Sequence, residues 1–126
     1  GICLGAQLLC RHLREGDCEG FGHIHVNVEP FSDYPFYNNG WCRLDLDSLQ
    51  SMGLARALKP SSTFYFNHRY YMGRDTTTQC VSIKGHPEIP AIYLDQKVCA
   101  IQLHPEKSQR DGLILLRNII EDHYGL

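Results

Sequence analysis

Two stretches of the chain carry apolar residues every three or four positions, the spacing typical of an amphipathic α-helix. The first predicts a helix over residues 5–13, which the turn-forming segment 15–17 ends. Its apolar positions are Leu4, Leu8, Leu9 and Leu13. The second closes the chain, and Ser108 with Asp111 gives it a start like a capping box. Its single apolar face is predicted to contain Leu113, Leu116, Ile119, Ile120 and Tyr124.

A second pattern, the alternation of apolar and polar residues, predicts β-strands. It is clearest where Ile24, Val26 and Val28 alternate with polar residues, and it indicates a strand with one buried and one exposed face. Four further short strands are predicted, over residues 63–66, 80–83, 91–94 and 98–103. Helices and strands mixed along one chain, with no internal repeat or linker, predict a single α/β domain.

Composition and charge narrow the class of protein. The chain has 126 residues, of which 43% are hydrophobic and 21% charged, values ordinary for one globular domain or part of one. The net charge is −2 and lysine and arginine are scattered, so neither a nucleic-acid surface nor a basic membrane patch is predicted. No apolar run approaches the roughly 18 residues of a membrane-spanning helix, and we expect a cytoplasmic protein.

The six cysteines are dispersed and include no Cys-x-x-Cys pair, so we expect reduced thiols rather than a disulfide framework. Only Cys3 has surroundings that predict reactivity. His23 and His25 could project from one strand face as metal ligands do, but no third ligand lies nearby in sequence. We interpret this pair as solvent-facing and predict no metal site.

Cys3 is the strongest candidate for chemistry. The segment Gly1-Ile2-Cys3-Leu4-Gly5 has the pattern of a nucleophile elbow, a sharp strand-to-helix turn, with cysteine in place of serine. Small residues on either side let the neighbouring chain pass close to the strained nucleophile. The N–H groups at the start of the following helix favour a thiolate, so we expect Cys3 to be more reactive than a free cysteine.

His104 is the candidate base, because it follows a predicted buried strand and is fixed by Pro105. Glu106 could hold the imidazole in the correct tautomer and stabilise its protonated form. The same His-Pro-Glu tripeptide begins at His86, but there it follows Lys84-Gly85 in a sequence typical of turns. We therefore predict that His104 is the base and that His86 is a surface residue.

The two motifs resemble those of class I glutamine amidotransferases. The resemblance rests on residues 1–7 and on the segment Gln-Leu-His-Pro-Glu-Lys-Ser-Gln at residues 102–109. Three stretches between them support it in the same order, at residues 20–22, 39–41 and 64–71. It covers nearly the whole chain, and within the family it points to the glutaminase subunits of imidazole glycerol phosphate synthases.

The resemblance implies a three-layer α/β domain of the flavodoxin-like type, incomplete at its N-terminus, with residues 1–126 as the C-terminal portion of a single domain. Members of the family place several strands and helices ahead of the nucleophile, which corresponds to on the order of 80 residues here. One of the two oxyanion-hole N–H groups comes from that preceding part. We therefore expect residues 1–126 alone to be inactive.

The resemblance also implies hydrolysis of glutamine to glutamate and ammonia through a cysteinyl thioester, without a cofactor. The ammonia would pass to a synthase or cyclase partner in histidine biosynthesis. The residues with implied roles are the triad Cys3, His104 and Glu106, the oxyanion donor Leu4, the glutamine-binding Gln7 and Tyr70, and the partner-facing Trp41. A packing role for Trp41 is an equally open alternative, since a lone tryptophan is often a core residue.

Two departures from the family pattern leave other functions open. Asn38 and Asn39 stand before Gly40 and Trp41 where a His-Met pair is usual, and Arg69 replaces a small hydroxyl residue. One alternative is a paralogue that supplies ammonia to a sugar amidotransferase in surface-glycan synthesis. Another is a non-catalytic interaction module, against which the intact triad argues. A third is a γ-glutamyl peptidase on the same fold.

Overall fold

The computed structural model describes residues 1–31 and 38–126. The helices are α1 (Leu4–Leu8), α2 (Leu46–Ser51) and α3 (Gln109–Arg117). A 3₁₀ turn at Pro105–Lys107 precedes α3, and a π-helical segment at Asn118–His123 follows it. The strands are β1 (Cys10–Leu13), β2 (Cys18–Glu19), β3 (Ile24–Pro30), β4 (Asn38–Cys42), β5 (Phe64–His68), β6 (Tyr70–Met72), β7 (Cys80–Ile83), β8 (His86–Leu94) and β9 (Cys99–Ile101).

Within the described residues the strands form three sheets. The first has the order β2-β1-β3-β6, in which β1 and β3 are parallel and the other neighbours are antiparallel. Strands β4 and β5 form an antiparallel pair, and β7, β8 and β9 form an antiparallel sheet. Ile2 pairs in parallel with Ile101, and the Cys3 N–H donates to the Ile101 carbonyl at 2.7 Å. The chain before Cys3 is therefore held by β9, the strand that leads to His104.

The core consists of two hydrophobic clusters, and strand β8 contributes to both. Ile92 belongs to the larger cluster and its neighbour Tyr93 to the smaller one. This division follows from strand geometry, because successive side chains point to opposite faces of a sheet. The larger cluster includes Phe64, Phe66, Val81, Leu103 and Leu115, and the smaller one includes Ala6, Cys10, Val28 and Met72.

The predicted α/β class is confirmed, as are several strands. In β3 the residues Ile24, Val26 and Val28 are buried while His25 and Asn27 are exposed, as the alternation predicts. Strand β7 has the predicted bounds, and β5, β8 and β9 overlap the predicted segments. The largest difference in length is at β8, which begins five residues before the predicted start at residue 91.

The predicted helix over residues 5–13 is wrong in its second half. Helix α1 ends at Leu8, and the chain continues as strand β1. There the backbone pairs with β3 on one side and β2 on the other, and only Cys10 and Leu13 are buried. Gly20 passes so close to the Cys10 carbonyl that a Cβ would overlap it. These long-range pairings override the helical spacing of the leucines.

The closing helix forms where it is predicted, and it buries part of the predicted face: Ile119 is buried, and Leu116 and Tyr124 pack against the larger core cluster. Leu113 and Ile120 are 65% and 47% exposed, whereas Gly112 and Leu115 are buried. A Cβ on Gly112 would overlap the Pro105 carbonyl, so this glycine lets α3 lie directly against the 3₁₀ turn. The π-helical segment after α3 then shifts the phase of the remaining side chains.

Five elements have no counterpart among the predicted ones: β1, β2, β4, β6 and α2. Helix α2 is short, and Asp45 caps it by accepting a hydrogen bond from the Ser48 N–H at 2.9 Å. No helix in residues 1–31 and 38–126 is both long enough and apolar enough to cross a membrane.

Candidate active site

Cys3 lies on the strand-to-helix turn that the sequence predicts. Its backbone φ is 52°, in the left-handed region that residues other than glycine rarely adopt. A Cβ on Gly1 would overlap the Gly5 carbonyl, so the predicted need for glycine at this position is confirmed. A Cβ on Gly5 would meet no described atom within 4 Å, so the same argument does not hold there. The strain is concentrated at the cysteine itself.

The Cys3 sulfur is half-buried and has two hydrogen-bond partners among the described side chains and carbonyls. Its S–H donates to the carbonyl of Asn67 on β5, with 3.8 Å between sulfur and oxygen. The Nε2 of Gln102 donates to the sulfur at 3.9 Å. In addition, the Leu4 N–H at the start of α1 acts on the sulfur and favours the thiolate. The nucleophile is therefore held by β5, by α1 and by the segment that follows β9.

The predicted lowering of the Cys3 pKa is wrong. Burial raises the pKa of the thiol, and the negative charge of Glu106 adds to this effect. The Leu4 N–H, the Lys107 charge and the Gln102 hydrogen bond act in the other direction but do not outweigh burial. Helix α1 has only five residues, so few peptide dipoles add up at its N-terminus. At neutral pH the sulfur therefore carries its proton and needs a base.

His104 and Glu106 form the predicted pair. The imidazole Nδ1 lies 2.7 Å from Glu106 Oε1, which places the proton on Nδ1 and leaves Nε2 as the acceptor. Burial tends to raise the pKa of Glu106, but the hydrogen bond and charge of His104 hold it below its ordinary value. The His104 side chain is 17% exposed. The pair therefore has the protonation pattern of a base and its orienting carboxylate.

Strand β5 positions both halves of the site. The His104 N–H donates to the Tyr65 carbonyl at 2.9 Å, while Cys3 donates to the carbonyl of Asn67 two residues further on. Ser108 adds a second link, since its Oγ accepts from the Tyr65 N–H at 2.9 Å and donates to the His104 carbonyl at 2.6 Å. The sequence indicated that Ser108 caps α3. Its side chain makes no cap hydrogen bond and instead fixes the 3₁₀ turn. No hydrogen bond in the described residues joins Cys3 directly to His104.

A cavity of about 250 Å³ opens beside Cys3. Four of the predicted site residues line it: Cys3, Leu4, Gln7 and Tyr70. The other lining residues are Glu15, Asn67, His68 and Arg69. An acidic residue and a basic residue, Glu15 and Arg69, therefore line the same cavity as the nucleophile.

Gln7 and Tyr70 lie at the cavity, but they are also joined to each other. The buried Gln7 amide donates from Nε2 to the Tyr70 carbonyl and to Gln102 Oε1, both at 3.0 Å. Both hydrogens of this NH₂ group are thereby used, and Oε1 is the atom that a ligand could contact. Tyr70 contributes its main chain to this network, and its ring packs against the smaller core cluster.

Trp41 and His86 both lie at the surface. Trp41 is 49% exposed and stacks edge-on against Tyr65, with 5.7 Å between the ring centroids. This position excludes the alternative in which Trp41 is a core residue. His86 is exposed, and its Nδ1 lies 3.2 Å from Glu88 on the same strand. The prediction that His86 is a surface residue is confirmed, although it begins strand β8 rather than lying within the turn.

Sequence reasoning assigned no role at the site to four residues that contact Cys3 or line the cavity: Glu15, Asn67, His68 and Gln102. Glu15 had been assigned only to a helix-ending turn, because the strand β1 that carries the chain to it was not predicted. His68 is buried, its Nδ1–H donates to the Tyr70 carbonyl at 2.7 Å, and burial lowers its pKa to about 4. A polar residue within an apolar strand pattern is the signal that could have identified His68 and Gln102.

An α/β fold with a cysteine on a strained elbow and a His-Glu pair on a neighbouring turn defines a class of cysteine-nucleophile domains. Comparison with known proteins identifies the family within that class. The family model described as "Glutamine amidotransferase class-I" matches residues 1–121. The chain belongs to the class I glutamine amidotransferase family, which confirms the resemblance seen in its motifs.

Curated relatives carry names from one branch of this family. The "Imidazole glycerol phosphate synthase subunit HisH 1" of Campylobacter jejuni (strain RM1221) is 36% identical over 125 residues, which cover 95% of this chain and 61% of the relative. The HisH subunit of Synechococcus elongatus is 34% identical and matches 95% of this chain and 57% of its own length. The HisH subunit of Dechloromonas aromatica is 33% identical, and the match covers 96% of this chain and 60% of the relative. The chain thus spans about 60% of the length of the relatives it matches.

Proposed function

We propose that this protein hydrolyses glutamine to glutamate and ammonia through a thioester on Cys3. The proposal rests on one observation above others: a strained cysteine opens onto a cavity that Glu15 and Arg69 also line. Glutamine carries an α-ammonium and an α-carboxylate. An acidic residue can bind the ammonium, and a basic residue can bind the carboxylate. We assign the ammonium to Glu15 and to Gln7 Oε1, and the carboxylate to the side of the cavity that carries Arg69 and Tyr70.

Acylation begins with proton transfer from the Cys3 thiol to Nε2 of His104. The resulting thiolate attacks the side-chain carbonyl carbon of glutamine and forms a tetrahedral oxyanion, to which the Leu4 N–H donates. The C–N bond then breaks, and the nitrogen takes the proton from His104 as ammonia leaves. The Glu106 carboxylate stabilises the imidazolium in between.

Deacylation repeats these steps with water. His104 Nε2 removes a proton from the water, which attacks the thioester carbon. The C–S bond breaks, Cys3 regains its proton from His104, and glutamate is released. Catalytic hydrogen bonds often shorten only when substrate binds, so the absence of a bond between Cys3 and His104 in the described residues is compatible with this mechanism.

The ammonia acceptor is the second part of the proposal. We infer that the protein supplies a cyclase subunit in the synthesis of imidazole glycerol phosphate, within histidine biosynthesis in the cytoplasm. The printed names of the relatives support this assignment, because each is a subunit of imidazole glycerol phosphate synthase. The exposed Trp41 on β4 supplies an aromatic residue of the kind that is enriched at protein interfaces.

The experiment measures glutamate and ammonia production by the full-length protein alone, with an imidazole glycerol phosphate cyclase, and with a sugar amidotransferase. We expect turnover of glutamine that the cyclase stimulates and that Cys3→Ala abolishes. Stimulation by the sugar amidotransferase instead would favour the surface-glycan paralogue. Binding of the cyclase without turnover under any of these conditions would favour the non-catalytic module, and either outcome would overturn the corresponding part of the proposal.

A further inference from the structure

A chain of hydrogen bonds leads through the protein interior to the Cys3 sulfur. Gln102, between β9 and His104, is fully buried, and its Nε2 lies 3.9 Å from Cys3 Sγ. Its Oε1 accepts a hydrogen bond from Gln7 Nε2 at 3.0 Å. The same Gln7 nitrogen donates to the Tyr70 carbonyl, also at 3.0 Å. The chain thus begins at a backbone carbonyl and ends at the nucleophile.

The direction of each amide in this chain follows from its starting point. A backbone carbonyl only accepts hydrogen bonds, so Gln7 must turn its NH₂ group toward Tyr70. The second hydrogen of that group points to Gln102, which must present its oxygen to Gln7. Gln102 is then left with its own NH₂ group toward Cys3. The sulfur therefore faces a donor whatever its own protonation state.

A donor at this position matters because other neighbours of the sulfur oppose its ionisation. The Asn67 carbonyl can accept from the thiol but repels a thiolate. Burial and the charge of Glu106 also favour the protonated form, while the charge of Lys107 opposes them. The Leu4 N–H can donate to the thiolate, but in the proposed mechanism it turns to the oxyanion. Glu15 and Arg69 are the charged residues that line the cavity beside Cys3 in the described part of the chain.

We propose that Gln102 is a further catalytic residue, which donates an N–H to the Cys3 thiolate when His104 removes the proton, and that Gln7 positions it. This inference rests on the glutaminase function proposed above. Gln102 does not line the cavity, and the Gln7 amide that it contacts is also held by the Tyr70 carbonyl, so the loss of Gln102 acts first on the nucleophile. Its loss should therefore lower kcat and leave KM nearly unchanged.

The principal test compares Gln102→Leu with Asn118→Leu in the full-length protein. Both variants remove a buried amide, but Asn118 donates to the carbonyls of Leu54 and Arg56, which do not line the cavity. The measurement is the rate of alkylation of Cys3 by iodoacetamide against pH, with the label mapped by mass spectrometry. Loss of a hydrogen bond to a charged sulfur should move the midpoint upward by about one pH unit in Gln102→Leu.

The kinetic readout supplies a second criterion. We expect kcat of Gln102→Leu to fall about tenfold at neutral pH, with KM for glutamine within about two-fold of wild type. Asn118→Leu should lower the melting temperature and leave the alkylation midpoint where it is. An unchanged midpoint in Gln102→Leu, or equal shifts in the two variants, would overturn the proposal.

A measurement on the wild-type protein covers the case in which Gln102→Leu does not fold. The side-chain ¹⁵N–H₂ resonances of Gln102 should titrate with the same midpoint as the alkylation of Cys3, because the group they belong to donates to the ionising sulfur. Resonances that do not change through that midpoint would refute the contact. Neither the alkylation measurement nor the resonances require glutamine. If the protein had no glutaminase activity, the proposed function would be refuted, and these two measurements would still test the role of Gln102.

Discussion

The N–H of His104 donates to the carbonyl of Tyr65 at 2.9 Å, so the candidate base is held by the same strand that holds the nucleophile. Two residues further along β5, the Asn67 carbonyl accepts from the Cys3 thiol. Residues two apart in a strand lie on the same side and keep a fixed spacing. Strand β5 therefore sets the relative position of acid and base groups that make no hydrogen bond to each other in the described residues.

His104→Ala and His86→Ala should differ sharply in activity although both change the first residue of a His-Pro-Glu tripeptide. His104 is the base, and its loss should lower glutaminase kcat by roughly 10⁴-fold or more. His86 is exposed and its side chain bonds to Glu88, away from the cavity, so its replacement should leave kcat within about two-fold. The measurement is steady-state glutaminase kinetics of the two variants side by side. Comparable losses would contradict the assignment of His104.

Ser108→Ala should weaken both the fold and the reaction. Its Oγ is the partner of the Tyr65 N–H and of the His104 carbonyl, and the variant leaves both without that bond. We expect a loss of about 1–3 kcal/mol in the free energy of unfolding, and a fall in kcat because the 3₁₀ turn is no longer tied to β5. Urea denaturation and glutaminase kinetics measure the two effects.

Ser51→Ala is the matched control for this prediction. The Ser51 hydroxyl donates to the Ser48 carbonyl at the exposed end of α2, so its loss should change stability by no more than about 0.5 kcal/mol. If Ser108→Ala behaved like Ser51→Ala in both assays, the proposed link between β5 and the 3₁₀ turn would have no energetic weight.

The parts of the site that the sequence predicts are those whose chemistry lies in contiguous residues. Gly1 to Gly5 contain the whole elbow, and residues 104–106 contain the base with its carboxylate, so local patterns were enough to find both. A polar residue in an apolar strand pattern can mark His68 and Gln102 as buried polar groups. Only long-range pairing shows that these two residues and Glu15 lie at the site. Gln102 joins Cys3 only because Ile2 pairs with Ile101 across nearly the whole chain.

The fold shows the same division between local and long-range information. Strand β3 is predicted over residues 24–28 because the alternation of apolar and polar residues there indicates which face is buried. Residues 10–13 were assigned to a helix because leucine spacing cannot reveal that β3 and β2 will pair with them. Leu113 is exposed although the sequence places it on the apolar face of α3, because the close approach of Gly112 to Pro105 that sets the buried face is a property of the packed structure.

His68 should make the stability of the protein depend on pH below neutrality. Burial lowers its pKa from an ordinary 6.5 to about 4, so the unfolded chain takes up a proton at a higher pH than the folded one. The stabilising effect of a neutral His68 is thus complete above pH 6.5 and is lost as the pH falls from 6.5 to 4. The full contribution of this effect to the free energy of unfolding is about 3 kcal/mol.

The check is urea denaturation of wild type and His68→Gln at several pH values between 7 and 4. The wild-type free energy of unfolding should fall more steeply with pH than that of the variant. His23→Gln removes an exposed histidine and serves as the control, and its pH profile should follow that of wild type more closely than the profile of His68→Gln does. Parallel profiles for His68→Gln and wild type would contradict the assignment of this histidine.

Trp41→Ala should weaken association with the cyclase far more than it weakens the fold. The side chain is 49% exposed, and its packing against Tyr65 is at the surface, so truncation should cost about 1 kcal/mol or less of stability. At an interface the same truncation should cost about 2 kcal/mol or more of binding, roughly a 30-fold rise in Kd. Leu113→Ala, which truncates a 65% exposed residue on α3, is the control and should change neither quantity appreciably.

Thermal denaturation and titration calorimetry with the cyclase separate the effect on stability from the effect on binding. A loss of about 3–5 kcal/mol in stability would contradict the surface position of Trp41, and unchanged affinity would exclude Trp41 from the interface.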